Sequence, residues 1–125
     1  MAVLPVTIGV PVGPDYFRAM GNAMVRVALM DLRRKPGPNL YRSGVRYRRE
    51  RPGSEAWRLP SQVRASGHGD CEDLTIWRVA ELRAQGIPAR FDVVRAGPRL
   101  WHAVVRLPDG NTEDPSKRLG MRGNA

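Results

Sequence analysis

Cysteine is almost missing: Cys71 is the only one in 125 residues. No internal disulfide can form, and a lone thiol points to a reducing compartment or to a sulfur kept for chemistry. Lysine is nearly as scarce, with Lys35 and Lys117 alone, so the net charge of +9 is carried by arginine. No apolar run reaches the ~18 residues of a membrane-spanning helix. The opening stretch MAVLPVTIGVPVG has no basic segment ahead of its apolar residues and is broken by Pro5 and Pro11, so it makes a poor signal peptide. The expectation is a soluble, cytoplasmic protein with no membrane partner. Repeats and low-complexity tracts are also missing, and a composition of 42% hydrophobic and 26% charged residues excludes wholesale disorder. A chain of this size buries a core without metals or disulfides, as one domain over residues 1–125.

The basic excess is lopsided. Residues 1–66 carry 12 Lys+Arg against 4 Asp+Glu, whereas residues 67–125 carry 9 against 8. Summed charge of one sign steers partners of the other. No nucleic-acid motif accompanies the charge, so specific nucleic-acid binding is not expected, and the arginine-rich N-terminal half is read as a surface for protein assembly partners.

Along the chain, an N-terminal apolar strand or arm leads to a helix opened by Pro14-Asp15. Phe17, Met20, Met24, Ala28 and Leu32 recur on it as a core stripe. Lys35-Pro36-Gly37-Pro38 stops that helix, because proline removes a donor and disfavours helix in the residue before it. Val45 and Tyr47 alternate with arginines as a short strand, and Arg51-Pro52-Gly53 turns the chain. A helical turn is expected at Ser61–Ala65, then a loop, Ser66-Gly67-His68-Gly69. Asp70 is a good N-cap for the next helix, which buries Leu74, Trp77, Val79 and Ala80 and closes at Gly86-Ile87-Pro88. From Ala89 the period changes to two. Strands at 91–94 and 100–107 flank a turn at Ala96-Gly97-Pro98, and Pro108-Asp109-Gly110 makes a hairpin. Asn111–Asp114 returns as a third strand halted by Pro115, before a polar tail.

Cys71 falls in the first turn of its helix, where unpaired N–H groups and the macrodipole favour a thiolate and can hold an oxyanion. Asp70, Glu72 and Asp73 oppose this unless they point away or are paired. His102 is the better base, since a strand fixes its direction whereas His68 sits between two glycines. A three-residue loop at 108–110 sets Leu107 opposite Asn111 and places Asp114 diagonal to His102 on one face, ~7 to 8 Å apart and within side-chain reach. A two-residue loop would put them on opposite faces. The triad therefore requires the odd loop of a type I turn followed by a glycine bulge.

These residues resemble the transglutaminase-like cysteine peptidases of the papain-like superfamily. The resemblance rests on Gly69-Asp70-Cys71-Glu72-Asp73-Leu74, Leu82–Arg90, Trp101-His102-Ala103-Val104-Val105, Asp109-Gly110 and Glu113-Asp114-Pro115. It covers about residues 55–116, and members include bacterial periplasmic proteases, transglutaminases, amidases and small phage-encoded proteins. It implies an α+β fold, with a catalytic helix on a small antiparallel sheet and an extra N-terminal helix covering it. Residues 1–54 are then arm and helix, 55–116 the catalytic core and 117–125 the tail.

The implied activity is cysteine-dependent cleavage or acyl transfer, through a thioester, at an amide of a protein or peptide substrate. Cys71 is the nucleophile, His102 the base and Asp114 the orienting acid. Relatives complete the oxyanion hole with an upstream polar or aromatic side chain; Gln62, ahead of Trp57, is the candidate to act with the Cys71 N–H. Trp57 and Trp101 are the candidate substrate-binding aromatics, although core packing also accounts for Trp77 and Trp101. No cofactor or metal is expected: zinc at His68, Cys71 and His102 lacks paired ligands at short spacing, and capping explains the acidic cluster as well as calcium does. The rival reading is a non-catalytic structural or assembly protein that keeps the fold, such as a component of a phage or phage-like particle.

Overall fold

A computed structural model describes residues 13–50, 57–98 and 100–122. The expected N-terminal arm and the Arg51-Pro52-Gly53 turn lie outside them. The elements run α1 (Pro14–Arg34), a 3-10 turn (Leu40–Arg42), β1 (Arg46–Tyr47), α2 (Pro60–Ser66), β2 (His68–Gly69), α3 (Cys71–Ala84), β3 (Arg90–Gly97), β4 (Leu100–Arg106), β5 (Thr112–Glu113) and α4 (Pro115–Arg118). None of the described helices is long and apolar enough to cross a membrane.

The fold is built around α3, which is buried on two opposite sides. Ile76, Val79, Ala80 and Leu82 join Val25, Ala28, Phe91, Val93, Ala103 and Val105 in a core beneath α1 and the sheet. Leu74 and Trp77 instead meet Leu40, Val45, Val63 and Leu119 on the far side. All four residues expected to be buried on this helix are buried, but they divide between the two cores, Val79 and Ala80 in the first and Leu74 and Trp77 in the second. The elements expected from the resemblance are present: α3 lies on an antiparallel sheet of order β3-β4-β5, and α1 packs across α3 and β3.

The buried line on α1 is Gly21, Val25, Ala28 and Asp31, a rotation away from the expected stripe. Phe17, Met24 and Leu32 pack only partly against the core, and Met20 is exposed. Gly21 explains the rotation. A Cβ built there would lie 2.1 Å from the Phe91 ring, so the helix crosses β3 on the one residue that has no side chain.

The hairpin has the odd loop that a triad requires. Leu107 N–H donates to Asn111 O at 2.8 Å and Gly110 N–H to Leu107 O at 2.9 Å, with Gly110 at φ 91°. Val105 pairs with Glu113 and Arg106 with Thr112. Pairing then ends, and the expected third strand is two residues long. Among the described residues, the segment expected as a polar tail is packed: Asp114 caps α4, Ser116 and Leu119 are buried, and Tyr47 N–H of β1 donates to Leu119 O at 2.9 Å. His68 is likewise not in a loop, since His68–Gly69 pairs in parallel with Arg46–Tyr47.

Candidate active site

α3 begins at Cys71 because Asp70 caps it. Asp70 Oδ1 accepts from Cys71 N at 2.7 Å, while Asp73 Oδ2 accepts from Asp70 N at 3.2 Å. That first turn belongs to a helix that packs against β4. His102 lies on that strand, so packing of α3 on β4 brings thiol and imidazole to one cleft. The cleft encloses about 180 Å³ and is lined by Cys71, His102, Tyr47, Trp101 and Met121, with Arg49, Glu50, Asp70 and Glu72 as its charged groups.

His102 is buried, and its Nε2 lies 2.8 Å from Asp114 Oδ2. Burial alone disfavours the Asp114 carboxylate, but the hydrogen bond and charge of His102, together with Lys117, outweigh it and hold the group below its ordinary value. An ionised carboxylate can only accept, so Nε2 is the nitrogen that carries a hydrogen, and in the neutral imidazole Nδ1 is the one left as a base. Asp114 uses its other oxygen, Oδ1, to accept from Lys117 N at 3.2 Å. The residue before it is pinned as well: Glu113 accepts from Tyr41 Oη and Arg78 Nε, which ties the end of β5 to α3. Burial opposes the Glu113 charge too, and these donors prevail and lower it.

The thiol does not have the activated character expected from its place at a helix end. Its pKa is raised, first by burial and then by the charge of Glu72, and the backbone of Ala103 acting the other way does not offset them. Cys71 Sγ donates to Glu72 Oε2 at 3.4 Å, and the Cys71 N–H is taken by Asp70. Of the three acidic neighbours, Asp73 points away, into Arg58, whose backbone N–H it accepts at 2.8 Å. Glu72 does not. Its own pKa is raised by burial and by Asp70.

The remaining expected site residues divide. Trp101 lines the cleft. Trp57 packs on the core, its ring 5.8 Å from that of Phe91, and is not among the described cleft residues. Gln62 is exposed on α2, where its Oε1 accepts from Leu59 N at 2.8 Å. It serves as the helix cap there and contributes nothing to the cleft. Tyr47 and Met121 are among the cleft residues that the sequence did not reveal. Tyr47 comes from the β1–β2 pair, and burial, then the charge of Asp70, push its phenol up to about 12, so it stays a protonated donor. Met121 comes from the segment read as tail. The alternation of Val45 and Tyr47 marked the strand but could not show that it pairs beside Cys71.

Asp70, Cys71 and Glu72 offer ligand-type atoms within 4.8 Å of one another, a cluster that includes neither histidine. Asp70 Oδ1 is occupied by the cap and its Oδ2 accepts from Glu50 N at 3.3 Å, which fits the capping reading. No curated protein matches the chain. No solved structure matches it either. The family model described as the transglutaminase-like superfamily matches residues 38–111.

Proposed function

The chain belongs to the transglutaminase-like superfamily, and from that premise we propose that it is a cysteine-dependent hydrolase or acyltransferase acting on an amide of a protein or peptide. The observation that carries the reading is the 2.8 Å contact of His102 Nε2 with Asp114, at a cleft that also holds Cys71. In the proposed reaction His102 Nδ1 takes the thiol proton as Cys71 sulfur attacks the amide carbon. The carbonyl oxygen becomes an oxyanion, for which the neutral Tyr47 phenol and the Cys71 N–H, once released by Asp70, are the donors at hand. Collapse breaks the C–N bond, the imidazolium protonates the departing amine, and a thioester remains. Water or an amine then attacks and gives its proton to His102, the C–S bond breaks, and the departing thiolate takes that proton back from His102. Asp114 is the positioning residue that holds the tautomer throughout.

The second reading, a non-catalytic assembly component that keeps the fold, is favoured by one observation. The thiol is raised by burial and Glu72, and is hydrogen-bonded to that carboxylate. Alkylation of Cys71 by iodoacetamide across pH, compared with His102→Ala, separates the two. A profile that His102→Ala changes supports the enzyme, and incubation with a glutamine-containing peptide library should then leave an acyl adduct on Cys71 after acid quench. An ordinary profile unchanged by the substitution, with no adduct, rejects it.

A further inference from the structure

α1 carries two apolar faces, of which the fold covers one. On the other, Tyr16, Met20, Ala23, Val27 and Met30 follow one another at steps of four, three, four and three residues. Tyr16 is 53%, Met20 40%, Val27 46% and Met30 58% exposed. Single exposed apolar side chains are ordinary, but four large ones in line are a patch. Alternating steps of three and four have the 3.5-residue period of a seam that packs against another helix. None of the five residues lines the cleft, so this surface is separate from the proposed chemistry.

Charge selects what fits. Arg26 and Arg33 flank one side of the seam and Arg34 stands at its end; all are exposed, and no ion pair among the described residues uses them. The two carboxylates of α1 are already engaged, Asp15 by Arg18 at 3.0 Å and Asp31 by Ser61, whose N and Oγ both donate to it at 2.8 Å. From its own α1 a second copy would thus offer these arginines only the exposed Asp15, and it would bring together two chains of net charge +9. We propose that the outer face of α1 docks an amphipathic helix of a partner protein. Its apolar residues sit on Met20, Val27 and Met30, and its glutamate or aspartate flank faces Arg26 and Arg33.

The test uses the full chain and a synthetic peptide of about four heptads, with leucine at the seam and glutamate on both flanks. A lysine-flanked twin and a proline-broken twin serve as controls, and binding is read by fluorescence anisotropy. The expected result is saturable, salt-sensitive binding of the glutamate peptide alone. It weakens about tenfold or more in Met20→Glu/Met30→Glu, and preference turns toward the lysine twin in Arg26→Glu/Arg33→Glu. Both variants should keep the wild-type melting temperature and Cys71 alkylation profile, because the substituted residues are exposed. Equal binding of the two charged twins, or binding indifferent to Met20→Glu/Met30→Glu, overturns the proposal. A sedimenting dimer that Met30→Glu dissolves also overturns it and assigns the face to a second copy. So does a photo-cross-link from position 20 to residues 1–12, which assigns it to the chain's own N-terminal segment.

Discussion

The Cys71 thiol gives its hydrogen bond to Glu72, its neighbour in sequence, at 3.4 Å. The thiol is therefore coupled most closely to a group that opposes its ionisation, although the imidazole that would draw its proton in the proposed reaction lines the same cleft. Which of the two governs the sulfur decides what the site does.

Replacing that carboxylate removes the nearest charge that raises the thiol. Glu72→Gln should shift the midpoint of the alkylation pH–rate profile downward by about one unit. Alkylation at neutral pH becomes faster, since more of the sulfur is thiolate. Intact-mass kinetics with iodoacetamide checks this, and a profile superimposable on wild type would show that Glu72 does not set the thiol.

Asp114 does two things with two oxygens, and two substitutions separate them. Asp114→Asn keeps a side chain able to cap α4 but loses the ionised acceptor, so acylation of Cys71 by a p-nitrophenyl ester should slow by about a hundredfold with little change in the urea midpoint. Asp114→Ala should slow it as much and also cost ~1 kcal/mol of stability. Equal ester kinetics in Asp114→Asn and wild type would dismiss the tautomer role.

Alanine is a better helix former than glycine by ~1 kcal/mol, yet Gly21→Ala should destabilise. The added Cβ would meet Phe91 at 2.1 Å, and overpacking of this kind costs about 1 to 3 kcal/mol. The pairing of Gly21→Ala with Phe91→Leu should recover part of the loss in urea unfolding. A stabilised single variant would mean that α1 does not cross β3 at this residue.

Asp92 sits between Arg18 Nε at 2.6 Å and Arg106 Nε at 2.9 Å. Burial disfavours its charge, but these hydrogen bonds outweigh it and lower the pKa. A lowered carboxylate contributes stability in full above its unfolded value of about 3.9 and loses it as pH falls through the lower folded value. The difference in melting temperature between wild type and Asp92→Asn should thus be largest near pH 6 and shrink below about pH 4. A difference constant with pH would remove the ion pairs as its cause.

Local rules were enough where a segment decides its own conformation. Asp70 capped α3, Lys35 ended α1, and the loop count at Pro108-Asp109-Gly110 fixed the register that brings His102 toward Asp114. They failed where distant segments meet. The rotation of α1 depends on Phe91, 70 residues away. Gln62 was a local miss: its bond is to Leu59, three residues before it, but leucine at that position is not a usual capping residue and so gave no sign. Ser116 to Met121 read as a tail because Ser116 and Leu119 are buried only against elements formed earlier in the chain, which a polar-looking sequence does not announce.

Since Asp114 closes the N-terminal end of α4 with one oxygen and steadies His102 with the other, the last short helix acts as a fuse on the imidazole. Unwinding of that turn withdraws the carboxylate's anchor while the core beneath α1 stays intact. Warming or clipping the chain beyond Pro115 should then silence the site as a local event, ahead of and independent of global melting.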